Sequence, residues 1–503
     1  MFKGCPKGIT QMKHRKKVID IIFLISVFFL CYIFFTKIHP LTIYDSDDWA
    51  QYFRYRNAIP IWGSFNPVKL FPETLMPLSA DIAGYILYPL IHDFIYSLTL
   101  VTAFWLCLFI TWYIYEIYRF IEYLGIDGYG RMIAFCIFFL HFVLFKISDK
   151  GYIPYLFGAH NVSCVFHYSI PMLLNMILVV RLIVWGGVLG EGELAKGVTL
   201  LLIYLAIFSN LYCSIILMSY TASKIVVGCT RKNRPKYFKL YIGISLMYIC
   251  SLIFEWNGTH RKGFVTNETR IDLLGSIASL FRVLSRMNGI AYILFIILCT
   301  GVVIFIKHRS DYFETYNTLI ELVLAYGGAL TAYIILQATT GSVGVWYVSR
   351  EEVLLGIAFY PFLFLCCSLY AIYRKMDYLF RIIPILFYIL VVDWALKFDY
   401  YMPSTCDCVK ESYAYELASY ELRECKKAEQ GEKMPVYTIL IPIHDTFESR
   451  ENWPHMGFGD SLSKAAFRYG FTKEKIPINV KPDISVNEKY NIPYNFYNSG
   501  LVY

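Results

Sequence analysis

The segment GVTLLLIYLAIFSNLYCSIILMSYTASKIVVG, residues 197–228, decides how this chain is threaded. It is overlong for one crossing of a hydrocarbon core about 30 Å thick, and it suffices for two short crossings that turn near Ser209-Asn210. Charge settles the choice. Split in two, the segment leaves Arg231, Lys232, Arg234 and Lys236 on the same side as the basic N-terminus, which holds Lys3, Lys7, Lys13, Arg15, Lys16 and Lys17. The split also carries Lys307, Arg309, Arg374, Lys375 and Arg381 to that side, whereas a single helix sends all of them across. Short loops rich in Lys and Arg stay in the cytoplasm, so two crossings are expected.

Working outward, the run Val18–Phe35 follows a basic flank like that of a signal peptide, but it is long and lacks a small-residue cleavage site. It reads as an uncleaved first helix with a cytoplasmic N-terminus. Further apolar runs cover 94–118, 130–147, 165–186, 236–255, 287–306, 315–337, 353–374 and 378–398. The expected fold is an all-α polytopic membrane protein with about eleven transmembrane helices over 1–398. A chain of 503 residues that is 57% hydrophobic, 18% aromatic and only 17% charged, with mean hydropathy +0.49, has the bilayer as its main solvent. Residues 399–503 are more charged, with no run that could span, and read as a small soluble α/β domain with strands such as Val436–Ile441. The expected sidedness puts that domain outside the cytoplasm, together with the 37–93, 148–164 and 256–286 loops.

The net charge of +8 follows the loops and is topological, so no nucleic-acid partner is expected. Most of the fourteen cysteines lie within apolar runs, as small hydrophobes without metal spacing. Cys406, Cys408 and Cys425 lie in the tail, where an oxidising compartment permits one disulfide among them.

Chemistry concentrates in the 37–93 loop, in Tyr44-Asp45-Ser46-Asp47-Asp48-Trp49 directly after the first helix. Three carboxylates in four residues serve either to cap and start a short interfacial helix or to provide a general base whose pKa its neighbours raise. Asp45, Asp47 and Asp48 are the catalytic candidates. If 47–57 is helical, Asp47 and Arg54 share a face two turns apart. Arg54, Arg56 and Lys69 are candidates for holding a phosphate, the alternative being to snorkel toward lipid headgroups. Glu255, Arg261 and Lys262 beside the seventh crossing, Arg350 and Glu351 of the Arg350-Glu351-Glu352 motif opening the tenth, and His160 and His167 flanking the 148–164 loop complete the substrate-binding candidates. Capping and a surface ion pair account equally well for Arg350-Glu351-Glu352, and a lone interfacial histidine is more often structural.

An acidic pair early in a long first outer loop, after one helix from a cytoplasmic N-terminus, resembles the GT-C superfamily of polyprenyl-phosphate-sugar glycosyltransferases. The run Asp45–Pro89 resembles bacterial multi-pass glucosyltransferase-like proteins of surface polysaccharide assembly. Asp47-Asp48 stands where that family has its acidic motif, though the Asp-Ser-Asp-Asp string leaves open which aspartate is the base. The resemblance implies an enzyme of the plasma (inner) membrane that moves one sugar, with inversion, from a polyprenyl-phosphate donor to a glycan or glycolipid acceptor at the outer face. Its partners would be that donor, that acceptor and membrane lipid. No cofactor is expected; three aspartates could hold Mg²⁺ or Mn²⁺, but most of the resembled family works without a metal.

Two other readings share the architecture: a transporter or flippase of lipid-linked glycans, and a polysaccharide polymerase or ligase. The first predicts charges deep in the spans and repeated halves; the second concentrates its function in a large later loop. No phosphate-cradling glycine loop, Gly-x-Ser-x-Gly elbow or His-Glu-x-x-His is present, against an ATP-driven pump, lipase or zinc protease. Asn161, Asn257 and Asn267 begin glycosylation tripeptides, which arise often by chance.

Overall fold

The computed structural model describes residues 7–43, 46–53, 67–126, 128–147, 154–159, 161–185, 192–231, 237–257, 271–308, 312–339, 350–401, scattered positions between 419 and 430, 437–441 and 458–490. The elements, in chain order, are α1 (Lys7–Ile33), α2 (Ser46–Tyr52), α3 (Leu70–Asp81), α4 (Tyr88–Ile91), α5 (Phe94–Leu124), α6 (Gly130–Val143), α7 (Val162–Cys164), α8 (Ile170–Val184) and α9 (Glu193–Ile207). They continue with α10 (Leu211–Thr230), α11 (Phe238–Asn257), α12 (Leu273–Ser285), α13 (Ile290–Lys307), α14 (Phe313–Thr339), α15 (Glu351–Lys375) and α16 (Ile383–Leu396). The tail adds β1 (Tyr437–Ile441), α17 (Phe458–Arg468), β2 (Ile478–Pro482) and α18 (Ile484–Tyr490). Widened π-type turns extend α1 over Phe34–Ile38, join α3 to α4 over Ile82–Leu87 and join α7 to α8 over Val165–Ser169.

Ten helices among the described residues are long and apolar enough to cross a membrane. α13 and α16 turn Phe295, Ile296, Ile306, Ile385, Tyr388 and Leu396 outward. Apolar surface on that scale is unfavourable in water and suits lipid, and the chain is a multi-pass membrane protein.

The break in 197–228 is where the charge argument puts it. α9 ends at Ile207, and the Asn210 side chain accepts from the Tyr212 N–H at 2.9 Å to start α10. Asparagine is among the best residues for satisfying the first donors of a helix.

Side-chain pairings fix which helix ends meet. Lys37 lies over the Tyr96 ring at 4.5 Å, while Tyr118 donates to Asp20 at 3.0 Å, so α1 runs antiparallel to α5. Lys16–Glu122 and Arg131–Asp20 ion pairs gather the basic residues at the end opposite Lys37. Tyr129 against Phe380 and Tyr312 against Tyr370 bring the later basic turns to that same end.

These pairings correct the expectation that 37–93 is a plain loop. It contains Leu70–Ile91, one of the ten helices, yet this helix does not join the two ends. Lys37 beside Tyr96 and Tyr88 beside Phe94 hold both ends of 38–93 at one end of the bundle. Phe71 meets Phe109, fifteen residues into α5 and so about 22 Å along its axis. The helix therefore starts part-way down the bundle and climbs back along α5. Conversely, α6 and α9 pack as bundle helices with only 14 and 15 residues.

The expected 256–286 loop likewise holds α12, placed at the α2 end by the Lys146 N–H on the Arg286 carbonyl (2.9 Å) and the Asn288 N–H on the Leu144 carbonyl (2.7 Å). Its Leu274 and Phe281 are exposed, as in a helix lying in a membrane interface.

The tail elements sit at the α2 end too. β1 and β2 pair in parallel with Tyr437 opposite Ile478, and α17 makes the crossover that parallel strands require. Arg468 pairs with Asp81 at 2.7 Å, Tyr469 donates to the same carboxylate at 3.0 Å, and the Tyr469 ring meets Phe53 and Phe94. Gly84 makes room for that ring, since a Cβ there would stand 2.1 Å from it.

Candidate functional site

The site is built around the start of the continuous helix Val162–Val184. Asn161, extended at φ −152°, accepts from the Cys164 N–H at 2.9 Å and starts that helix. The fully buried Asp48 carboxylate, 115 residues away in sequence, accepts from the Ser163 N–H at 2.6 Å. Free N–H groups and the positive end of the helix dipole make this a natural seat for an anion. Asp48 thereby holds α2 against the bundle. Trp49 and Tyr52 of α2 are also buried, and Tyr52 shares a 2.5 Å hydrogen bond with Thr102. Burial pushes the Tyr52 phenol well above its ordinary range, with Asp48 nearby adding to the rise, so it stays protonated.

On the other side of Cys164 lies Arg350. Its Nη2 donates to the Cys164 Sγ at 2.8 Å, its Nε donates to Glu352 at 2.7 Å, and its guanidinium stands 4.9 Å from the Tyr168 ring. The planar fork suits such combined carboxylate and aromatic contact. Glu352 is fully buried and Arg350 only 10% exposed in its side chain, so the pair lives where breaking it leaves an uncompensated charge. Asp48, Arg350 and Glu352 all lie within electrostatic reach of Cys164. Glu351 is set against Gly158, its Cγ 3.5 Å from where a Cβ of that glycine would stand.

One turn along, His167 Nδ1–H donates to the Ser163 carbonyl at 2.8 Å, which leaves Nε2 as the acceptor nitrogen. Lys69 is within electrostatic reach of this ring. Lys69 adopts φ +66°, a left-handed conformation rare outside glycine, with its N–H on the Phe208 carbonyl at 2.6 Å. Its ammonium lies 3.7 Å from Glu255. The turn between α9 and α10 thus helps fix a cation of the first loop.

Six of the sequence candidates are therefore gathered at one end: Asp48, Lys69, His167, Glu255, Arg350 and Glu351. Asp47 belongs to α2, but its side chain lies outside the described residues, as do Asp45, Arg54, Arg56, His160, Arg261 and Lys262. The described α2 ends at Tyr52, so the proposed shared face of Asp47 and Arg54 also falls outside them. Cys425 is buried in the tail; Cys406 and Cys408 lie outside the described residues. Among the described residues no group of three or more His, Cys, Asp or Glu is placed to hold a metal.

Sequence reasoning missed Ser163 and Cys164 as partners, because a backbone N–H and a thiol in an apolar run carry no signal of their own. It also passed over Asp81, whose partners Arg468 and Tyr469 lie nearly four hundred residues away. No protein-family model matches this chain, and no curated protein matches it.

Proposed function

We propose that this protein is a membrane glycosyltransferase that moves a single sugar, with inversion, from a polyprenyl-phosphate donor to a glycan or glycolipid acceptor at the extracytoplasmic face. The observation that carries the reading is the meeting of Asp48 of the acidic segment with Arg350 and Glu352 around one helix start, at one end of an apolar bundle. A lipid-phosphate sugar presents its head at a membrane surface, and transfer needs only a base for the acceptor hydroxyl and cations for the departing phosphate. No nucleotide-binding fold is required.

In this reading Asp48 spends one oxygen on Ser163 and acts as a positioning residue for α2. The proton of the acceptor goes to its neighbour Asp47. Lys69 and Arg350 provide the positive charge for the phosphate, together with Arg54 and Arg56 of the first loop and Arg261 and Lys262 of the 256–286 segment. His160, His167, Glu255 and Glu351 complete the lining. The tail, as a small α/β unit docked beside α2, covers the acceptor side. The N-terminus and the basic turns are assigned to the cytoplasm of a plasma (inner) membrane protein.

The test is to place the purified protein in vesicles, supply a panel of polyprenyl-phosphate hexoses with candidate acceptors, and follow both polyprenyl phosphate release and movement of donor between leaflets. Release with one donor supports transfer. Leaflet exchange without release from any donor replaces this reading with transport.

A further inference from the structure

The helix α12, at the α2 end of the bundle, carries positive charge outside the cluster around Cys164. It packs on α14 and buries Ser276, Ser279, Leu280 and Val283. The opposite stripe holds Leu274 and Phe281, seven residues and so two turns apart, with 81% and 67% of their surfaces exposed. A helix with one face against the protein and a second, apolar face in the open has lipid on that second side.

A cationic edge flanks the open stripe. Arg282 and Arg286 are four residues, about one turn, apart and both are exposed. Lys146, also exposed, is brought beside them by the backbone: its N–H meets the Arg286 carbonyl at 2.9 Å, and Phe145 and Met287 pair as an antiparallel bridge. No acidic residue occurs between Leu273 and Met287 to offset this charge. Glu351 is within electrostatic reach of Arg286, so the edge runs from the lipid-facing stripe toward Arg350-Glu351-Glu352.

We propose that Lys146, Arg282 and Arg286 dock the terminal phosphate of polyprenyl phosphate, the lipid that sugar transfer releases, with its chain along Leu274 and Phe281. Guanidinium groups grip phosphate oxygens in pairs, and the apolar stripe takes the chain. The charge of the lipid selects it. A sugar donor or a bulk phospholipid carries a phosphodiester with one negative charge, whereas a terminal phosphate carries about −1.5 to −2 at neutral pH. Loss of the sugar therefore raises the pull of three clustered cations, and the continuity with Glu351 gives the released lipid a way out of the cluster. The assignment rests on the glycosyl-transfer reading for the source of that lipid, yet binding itself requires no turnover.

The experiment uses full-length protein in nanodiscs of zwitterionic phospholipid, photolabelled with a diazirine-bearing farnesyl phosphate or with the matching farnesol. Modified peptides are identified by mass spectrometry. Wild type is expected to be labelled within 273–285 about tenfold more by the phosphate than by the alcohol, and added phosphatidylglycerol should leave that labelling in place. Arg282→Gln with Arg286→Gln should remove the preference for phosphate and leave farnesol labelling unchanged, while Arg282→Lys with Arg286→Lys keeps most of the preference. Both arginines are exposed and the seam to Lys146 is made by backbone groups, so these variants keep α12 in place; unchanged farnesol labelling verifies it. Equal labelling by phosphate and alcohol overturns the proposal, as does a preference that survives the double glutamine change. Displacement by phosphatidylglycerol overturns it too and assigns the edge to bulk anionic lipid. Absent phosphate preference in a protein that releases polyprenyl phosphate sinks this site alone; an intact preference in a protein that releases none from any donor sinks the transfer reading alone.

Discussion

At the scale of single residues, the cluster is governed by the cost of buried charge. Arg350→Ala would strand Glu352 in a place with no solvent, and the expected loss is roughly 3–5 kcal/mol of stability. Unfolding in detergent checks it. The double change Arg350→Met with Glu352→Gln should recover most of that loss, because neither replacement carries charge; a double variant as unstable as Arg350→Ala contradicts the explanation. Asp48 behaves differently. Asp48→Asn keeps an oxygen for the Ser163 N–H and should fold normally, whereas Asp48→Ala leaves that helix start without its side-chain acceptor and should cost about 1–3 kcal/mol. Equal stability of the two variants would show that the contact holds nothing. Asp48 and Arg350 were legible in the sequence because charges at the edges of apolar runs need a reason. Their meeting was not, since it passes through Cys164 and the backbone of Ser163.

At the scale of elements, the first loop and the tail explain one another. α3 escaped the sequence reading because Pro72, Glu73, Pro77 and Asp81 interrupt its apolar pattern. Asp81 has a purpose once α17 is in place, where Arg468 and Tyr469 both take its oxygens. Gly84→Ala should drive a Cβ into the Tyr469 ring and loosen α17, at a cost of about 1–3 kcal/mol to docking. Limited proteolysis should then cut the tail faster than in wild type. Adding Tyr469→Ala removes the clash but also the ring contacts, so the double variant should be cut no faster than Tyr469→Ala alone. Unchanged cleavage of Gly84→Ala would contradict the close packing.

At the scale of the whole molecule, the basic turns lie at one end and the acidic helix, α12 and the tail at the other. This much the positive-inside pattern made legible, and the Asn210 helix start shows why the 197–228 segment breaks where it does. Short helices such as α9 were recognisable only through charge, because length alone argues against them. In a cysteine-free background, an impermeant maleimide should label Ser285→Cys and Ser485→Cys on intact cells and Lys375→Cys only after permeabilisation. The opposite pattern would invert the assigned orientation and take the site to the cytoplasm. The central claim, that the acidic helix performs sugar transfer, is tested most directly by the initial rate of polyprenyl phosphate release in wild type and in Asp47→Asn. The expected result is turnover of one donor by wild type and a fall of about a hundredfold or more in the variant; an unimpaired rate in Asp47→Asn would contradict it.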